Sequence, residues 1–443
     1  MRQEQIDYYK KWIWAYILLF IFEGALRKWI FPGLASPLLL IREPIVLYLF
    51  FKCYRSNLVG IGEAKGLMIV GTICLFTALI FGHHNVLIAL YGWHIYFFHF
   101  PFIVIAARLL NWEDVVKIGK VLLYISIPMT LLVIMQFYQP QNAWVNRGVG
   151  GDMSGAGFGG TMIGDVSYYR PPGTFSFTSG YTAFQSIICS FVFYFMVANN
   201  SLPKQLQINQ WILYLIMLCY MLSVPYSISR SLTLMTVLTA LFALLALSGG
   251  KTKTLISLLL SIFGIIIIVF IANKFNLFGE SINAFTKRFG EASEVEGGIQ
   301  GTIGNRYLLG FLNSLFMDVP IFGYGIGIGT NAGASLIHGD MFSIFNAESG
   351  FGLIIGECGL FLGLIIIILR FKWTIRLVFK GWKQRKNNIL PILLMPNLIV
   401  LLSMGSVGAV PSLGALVLTS FLYIASLNIS IRTFKKNTPL TRI

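Results

Sequence analysis

Apolar runs long enough to cross a lipid bilayer recur along the whole chain and constrain its fold more than any other feature. About 20 apolar residues in a helix cross the roughly 30 Å of hydrocarbon. We find about twelve such runs, near residues 12–30, 35–53, 66–82, 90–110, 117–138, 177–198, 209–226, 231–248, 254–273, 349–370, 388–404 and 411–431. The 443 residues are therefore predicted to form one all-α, polytopic membrane domain.

The composition agrees with this class. Hydrophobic residues make up 56% of the chain and charged residues only 11%, which excludes a soluble enzyme and a disordered chain. The five cysteines fall within the predicted spans or at their cytoplasmic edge, and their spacing matches neither a disulfide framework nor a zinc site. No GxxxxGK[ST] motif is present, so coupling to ATP hydrolysis is not expected.

The positive charge of the chain predicts its orientation. If the N-terminus is cytoplasmic, 22 of the 33 lysines and arginines lie on the inner side, as the positive-inside rule requires. Both termini are then cytoplasmic, and the long connections 139–176 and 274–348 (the latter between spans 9 and 10) are extracytoplasmic loops. The segment 371–387 is predicted to be a basic cytoplasmic loop that lies, with Arg370, against anionic lipid and does not bind nucleic acid.

Two pairs of ionisable residues lie inside predicted spans. Glu23 and Arg27 are four residues apart and so share one helix face, whereas Arg42 and Glu43 are adjacent in the second span. Pro44 follows directly and disfavours helix at the residue before it. The pairs are either mutually neutralised structural contacts or the lining of a charged cavity that opens outward.

Three further arginines lie on the predicted outer side, near span ends or in the large loop: Arg170, Arg230 and Arg306. The planar guanidinium fork suits phosphate oxygens, so convergence of these arginines would favour a lipid-phosphate or pyrophosphate site. The alternative for each is an arginine that extends to the lipid headgroups.

The few histidines give one candidate for chemistry and one pair that is expected to be structural. His94 and His99 are five apart, which is poor spacing for metal ligands on one α-helix, so we predict packing or polar contacts there and no metal site. His338 and Glu348 lie in the large outer loop, where either could accept a proton from an attacking hydroxyl. The alternative for both is loop capping or a solvated surface.

A glycine-rich run, Gly323-Tyr-Gly325-Ile-Gly327-Ile-Gly329, superficially matches a dinucleotide fingerprint. It lacks the strand-helix-strand unit that such a fingerprint needs. We therefore interpret it as a tight turn with close backbone contacts, not as a nucleotide site.

The order of several short motifs resembles the O-antigen ligase and polymerase superfamily over residues 139–370. The motifs are Arg170-Pro-Pro-Gly173-Thr174-Phe175, Ser229-Arg230, Asn305-Arg306, Asp318-Val-Pro320-Ile-Phe322-Gly323-Tyr-Gly325, Asn346-Ala-Glu348 and Glu357-Cys-Gly359. The segment Glu23-Gly-Ala-Leu-Arg27-Lys28-Trp29 is also similar to sequences in exopolysaccharide polymerase-like relatives.

This resemblance implies a metal-independent, cofactor-free glycosyltransferase of the bacterial inner membrane. Such proteins transfer a glycan from undecaprenyl pyrophosphate in the outer leaflet to a hydroxyl of another glycan, and a flippase and a chain-length regulator are implied partners. Arg230 and Arg306 would bind the pyrophosphate with Arg170 as a third candidate, and Glu348 or His338 would activate the acceptor. Glu23, Arg27, Arg42 and Glu43 would line the supporting outward cavity.

One departure favours a polymerase over a ligase. Ligases of the superfamily tend to have histidine directly before the asparagine that matches Asn346, and this chain has Phe345 there. A ligase acting on lipid A core remains an alternative, as do a transporter of lipid-linked oligosaccharides and a non-catalytic assembly component.

Overall fold

The structure is a computed structural model that describes residues 3–55, 62–154, 159–163, 166–247, 279–296, 310–330, 333 and 350–428. Three predicted site residues, Arg306, His338 and Glu348, lie outside these ranges, as does the predicted span 254–273.

The described part of the chain is helical apart from one small hairpin. Its α-helices are α1 (Gln3–Ala25), α2 (Glu43–Arg55), α3 (Ala64–Ile80), α4 (Val86–Trp93), α5 (His99–Leu109), α6 (Trp112–Tyr138), α7 (Thr178–Ala198), α8 (Gln210–Tyr226), α9 (Arg230–Leu247), α10 (Gly279–Glu296), α11 (Gly310–Leu315), α12 (Gly350–Gln384), α13 (Leu390–Leu398) and α14 (Val410–Ser426). π-Helical segments extend or join some of them at Leu26–Ile30, His94–Phe98 and Ile399–Met404. Strands β1 (Gly160–Ile163) and β2 (Val166–Tyr169) pair antiparallel, with Gly160 opposite Tyr169.

Several of these helices are long and apolar enough to cross a membrane. Within the described ranges, five meet the requirement: Val86–Leu109, Trp112–Tyr138, Thr178–Ser201, Arg230–Leu247 and Gly350–Gln384. Shorter apolar helices occur at Ala64–Ile80, Gln210–Tyr226, Leu390–Met404 and Val410–Ser426. The protein is thus an all-α, membrane-embedded protein, as the apolar runs predict.

The predicted second span, 35–53, is wrong in its first part. Short 3₁₀ turns occupy Pro32–Leu34 and Pro37–Leu40, and the α-helix begins only at Glu43. Prolines cause this break because they lack the N–H that a helix interior needs and restrict the residue before them. Pro44 is tolerated because it stands in the first turn of α2, where amide donors have no helical acceptor.

The predicted span 349–370 and the basic segment after it form one helix, α12, which bends at Gly359 where φ is +77°. Residues 371–384 therefore continue a helix and are not a loop. Arg370 is only 1% exposed, so its predicted position against lipid is wrong. Its guanidinium donates instead to the carbonyls of Leu401, Leu402 and Gly405 at the end of the last π-helical segment. The Leu401 carbonyl also accepts from the Gly405 amide.

Helix α7 lies at the centre of the described helices. It packs against α6, α8, α9, α13 and α14. Buried polar groups fix it to α13, since Ser190 donates to the Leu393 carbonyl at 2.7 Å and Asn397 donates to the Ser186 carbonyl at 2.9 Å. Helix α7 begins at Thr178, shortly after the motif that starts at Arg170. The packing of α7 in the core therefore fixes the position of the end of the connection 139–176.

Candidate functional site

Two motifs that are far apart in sequence meet at one buried junction. The Lys28 ammonium, which is fully buried, donates to the Gly173 carbonyl at 2.6 Å. Gln136 of α6 holds the same glycine from the other side, because its side-chain oxygen accepts from the Gly173 amide at 2.8 Å and its Nε2 donates to the Gly173 carbonyl at 3.2 Å. Gly173 has φ +59°, a conformation that glycine adopts without strain. We call this contact the motif junction.

The motif junction continues along α1. Thr174 donates its hydroxyl to the Ile21 carbonyl at 2.6 Å. At Gly24, a Cβ atom would lie 2.1 Å from the backbone nitrogen of Ser176, so only glycine permits this approach of two backbones. The end of α1 and the segment that leads into α7 therefore form one rigid unit.

Glu23 and Arg27 form the ion pair that their spacing predicts. Arg27 Nη1 lies 2.6 Å from Glu23 Oε1, and Arg27 Nε donates to the Ala35 carbonyl at 2.8 Å. Both side chains are buried. Glu23 and Arg27 thus form the mutually neutralised structural contact that was one of the two alternatives. Arg27 also bonds the backbone at Ala35, between the 3₁₀ turns that precede α2.

The paired alternative is wrong for Arg42 and Glu43, which form no ion pair with each other in the described structure. Arg42 is 1% exposed and donates from Nη2 to the Val410 carbonyl at 2.8 Å. Its guanidinium occupies the space beside Gly414, where a Cβ would lie 2.1 Å from Nη1, and faces the Tyr16 ring at 5.4 Å. Its Nε and Nη1 donate to no described residue.

Glu43 instead faces His94 and His99, and both histidines make the polar contacts that were one of the predicted alternatives. Its Oε2 lies 3.2 Å from His94 Nε2 and 3.3 Å from His99 Nε2. The spacing argument against a shared site assumed an α-helix, but residues 94–98 form a π-helix. A π-helix bonds residue i to residue i+5, so residues five apart lie on one face.

Two of the three predicted pyrophosphate arginines lie on segments that are in contact. Arg170 donates from Nη2 to the Ser229 hydroxyl at 3.4 Å, and Arg230 is the next residue along the chain and begins α9. Both arginines are partly buried. Ile228, two residues before Arg230, has φ +46°, which is strained for a β-branched residue and is typical of functional turns.

A small cleft of about 10 Å³, room for about one water molecule, opens beside Arg170. The other residues that line it are Gln136, Phe137, Gln139, Gln141, Asn146, Ser167, Tyr169, Pro171 and Pro172. Gln136 lines the cleft and also bonds Gly173 at the motif junction, so the two features are adjacent.

Aromatic side chains surround this region. Phe137 stacks on Tyr168 with ring centroids 4.9 Å apart, and the hydroxyls of Tyr138 and Tyr226 lie 3.1 Å apart. Burial, together with the nearby Glu280 carboxylate of α10, raises the pKa of Tyr168 above its ordinary value. Glu280 therefore brings an acidic group from the predicted large outer loop to this aromatic wall.

The glycine-rich run is a close-packed turn, as predicted. Gly323, Gly325 and Gly327 all have positive φ. The turn binds the bend of α12 through Gly325, whose amide donates to the Glu357 carbonyl at 3.0 Å, and the Glu357 side chain accepts from the Gly329 amide at 2.5 Å. The segment Gly323–Gly329 and the Glu357-Cys-Gly359 motif are thus in direct contact.

Comparisons with models of known protein families, with curated proteins and with solved structures gave no match. Three participants at these contacts were not predicted as site residues: Lys28, Gln136 and Glu280. Lys28 was part of a quoted motif, and its charge next to an apolar run is the one sequence signal that could have identified it. Gln136 and Glu280 carry no comparable signal.

Proposed function

We propose that this protein is a glycosyltransferase, specifically a polysaccharide polymerase that transfers a glycan from undecaprenyl pyrophosphate to a hydroxyl of another lipid-linked glycan. The observation that carries the proposal is the convergence of Arg170 with the Ser229–Arg230 turn beside a cleft. A departing pyrophosphate needs fixed positive charge, and guanidinium groups supply it in a geometry that matches phosphate oxygens.

The motif junction supports the same proposal. It holds Gly173 by contacts with Lys28 and Gln136, and Gly173 is three residues after Arg170. Arg170 is therefore presented from a backbone that is fixed on two sides. Preorganised charge stabilises a developing negative charge better than mobile charge does, because no reorganisation is needed during the reaction.

The aromatic wall suits the sugar part of the substrate. Tyr168 is partly exposed and stacks on the buried Phe137, and Tyr138 is 46% exposed and carries a hydroxyl. Such amphipathic rings can pack on a sugar ring and bond its hydroxyls. In this proposal the base is a carboxylate or imidazole of the outer loop, either Glu348, His338 or the newly located Glu280.

The proposal includes the membrane arrangement. The protein would cross the bacterial inner membrane about twelve times, with both termini in the cytoplasm and the arginines on the extracytoplasmic side. The excess of lysine and arginine on the opposite side of the predicted map supports this orientation. Arg306 would complete the pyrophosphate site.

The test is glycan extension by the purified protein in liposomes supplied with a lipid pyrophosphate-linked repeat unit and no nucleotide. We expect a ladder of longer lipid-linked glycans from the parent. Arg230→Ala and Arg170→Ala should each lower the rate by roughly 10²-fold or more, the usual loss when one group that stabilises transition-state charge is removed. Lys386→Ala, an exposed charge removed far along the chain, is the matched control and should extend glycans at the parental rate.

Two outcomes would refute the polymerase. If the parent transfers the glycan only to lipid A core, the protein is a ligase. If no glycan is transferred but the labelled lipid crosses the bilayer, it is a transporter. Unchanged extension by the correctly folded Arg230→Ala and Arg170→Ala variants would show that the pyrophosphate site lies elsewhere.

A further inference from the structure

We propose that Glu43, His94 and His99 bind a divalent transition-metal ion of the zinc class within the membrane domain. The proposal is independent of the transfer reaction: the ion would join the start of α2 to the π-helical segment between α4 and α5. It revises the expectation that the histidines only pack or make polar contacts and bind no metal.

The three ligand atoms converge as a metal site requires. Glu43 Oε2 lies 3.2 Å from His94 Nε2 and 3.3 Å from His99 Nε2, and all three atoms lie within 4.8 Å of one another. In a tetrahedral zinc site with bonds of about 2.0 Å, neighbouring ligand atoms are about 3.3 Å apart. The two Glu43 contacts therefore already match the edges of a zinc tetrahedron.

The proton on His99 is placed by a backbone contact. His99 Nδ1 lies 3.4 Å from the His94 carbonyl oxygen. A carbonyl only accepts, so Nδ1 carries a proton, and a neutral ring bonded in this way has its lone pair on Nε2. This lone pair then faces the Glu43 carboxylate oxygen, and two acceptors in contact repel each other unless a cation lies between them. Metal-bound histidines commonly use the other ring nitrogen in this way.

The lack of hydrogen bonds at the three ligand atoms also supports a bound ion. Glu43 Oε2, His94 Nε2 and His99 Nε2 are buried, and none makes a hydrogen bond of acceptable geometry to a described residue. Buried polar atoms are nearly always bonded, so three unsatisfied atoms that face one another require an explanation. A single shared ion satisfies all three.

The charge balance also favours a cation. Glu43 is 7% exposed and His99 is 1% exposed, so the carboxylate has lost most of its water. The adjacent Arg42 directs Nη2 to the Val410 carbonyl and does not form an ion pair with Glu43. A buried carboxylate without a bonded counter-charge is costly, and an ion held by it and two neutral imidazoles removes that cost.

The donor set indicates which ion binds. Imidazole nitrogens suit zinc, copper, iron and nickel, whereas magnesium and calcium prefer oxygen ligands only. Three protein ligands leave one tetrahedral position for water. The His94 side chain is 17% exposed and provides the approach for the ion.

The experiment uses the full chain in lipid nanodiscs, purified through a tag without histidine. The protein is stripped with a chelator and titrated with zinc, with cobalt as a spectroscopic probe and with magnesium as the negative control. We expect one zinc per chain and the visible absorption of tetrahedral cobalt. Glu43→Gln, His94→Ala and His99→Ala should each weaken zinc binding by more than about tenfold, the least that even an outer-shell partner contributes.

The matched control is His84→Ala, which removes an exposed histidine outside the cluster and should bind zinc like the parent. Since a variant of the cluster could fail to fold, the cobalt spectrum of the parent decides independently. Absence of stoichiometric zinc and of the tetrahedral cobalt spectrum in the folded parent would overturn the proposal. So would nitrogen NMR showing His99 as an imidazolium in the presence of excess zinc, because the cation between the acceptors would then be a proton.

Discussion

Replacing Gln136 by leucine tests whether the motif junction holds the first helix to the segment before α7. The change keeps the size of the side chain but removes three hydrogen bonds, to the Gly173 amide, the Gly173 carbonyl and the Val145 carbonyl. The Gly173 carbonyl keeps its bond from Lys28, whereas the Gly173 amide and the Val145 carbonyl lose a buried partner. At about 1 kcal/mol for each bond, the free energy of unfolding should fall by about 3 kcal/mol.

The assay is reversible unfolding in mixed micelles with increasing denaturing detergent, followed by tryptophan fluorescence. A loss of about 3 kcal/mol lowers the folding equilibrium constant by roughly a hundredfold. Gln139→Leu, an exposed glutamine one turn along, is the control and should change stability by less than about 0.5 kcal/mol. If Gln136→Leu is destabilised by less than about 1 kcal/mol, the junction does not contribute as the hydrogen bonds indicate.

Three further changes test separate contacts. Gly24→Val should lower the free energy of unfolding by about 1–3 kcal/mol, because a Cβ at this position would lie 2.1 Å from the Ser176 backbone nitrogen. The control Gly33→Ala, where a Cβ would have no atom within 4 Å, should leave stability unchanged. Thermal unfolding of the two variants measures the difference. Arg370→Met should lower stability by about 3 kcal/mol by removing the donor to three carbonyls. Arg385→Met, which removes an exposed bond to Trp382, should lower it far less in the same detergent titration. Burial lowers the pKa of His83, in the loop between α3 and α4, below its ordinary 6.5. The folded state therefore binds fewer protons than the unfolded state, and the free energy of unfolding should fall as the pH drops below 6.5. His83→Gln should flatten that part of a stability curve measured from about pH 8 to about pH 5.

Local sequence patterns predicted most helix positions because the causes are local. A long apolar run has only one way to satisfy its backbone in lipid, and α6, α7 and α8 begin and end within a few residues of the predicted bounds. The Glu23 and Arg27 pair was predictable for the same reason, since four residues bring two side chains onto one helix face.

Predictions failed where a nearby element supplied an unforeseen partner. Arg370 looked like a lipid anchor because a charge at the end of an apolar run usually extends to water. Its position is set instead by the carbonyls of the π-helical segment at Ile399–Met404, about thirty residues later. His94 and His99 were separated by an assumed α-helical periodicity, and one π-helical turn brought them together.

The sequence by itself determined the class of this protein, the positions of most of its described helices and the residue types available at the candidate site. Only the tertiary structure decided which of those residues meet. Lys28 and Gly173 are 145 residues apart, and Arg170 and Ser229 are 59 residues apart. The alternatives for such pairs differ in how helices pack against one another, and that packing depends on the shape of the whole core, which no local pattern of residues encodes.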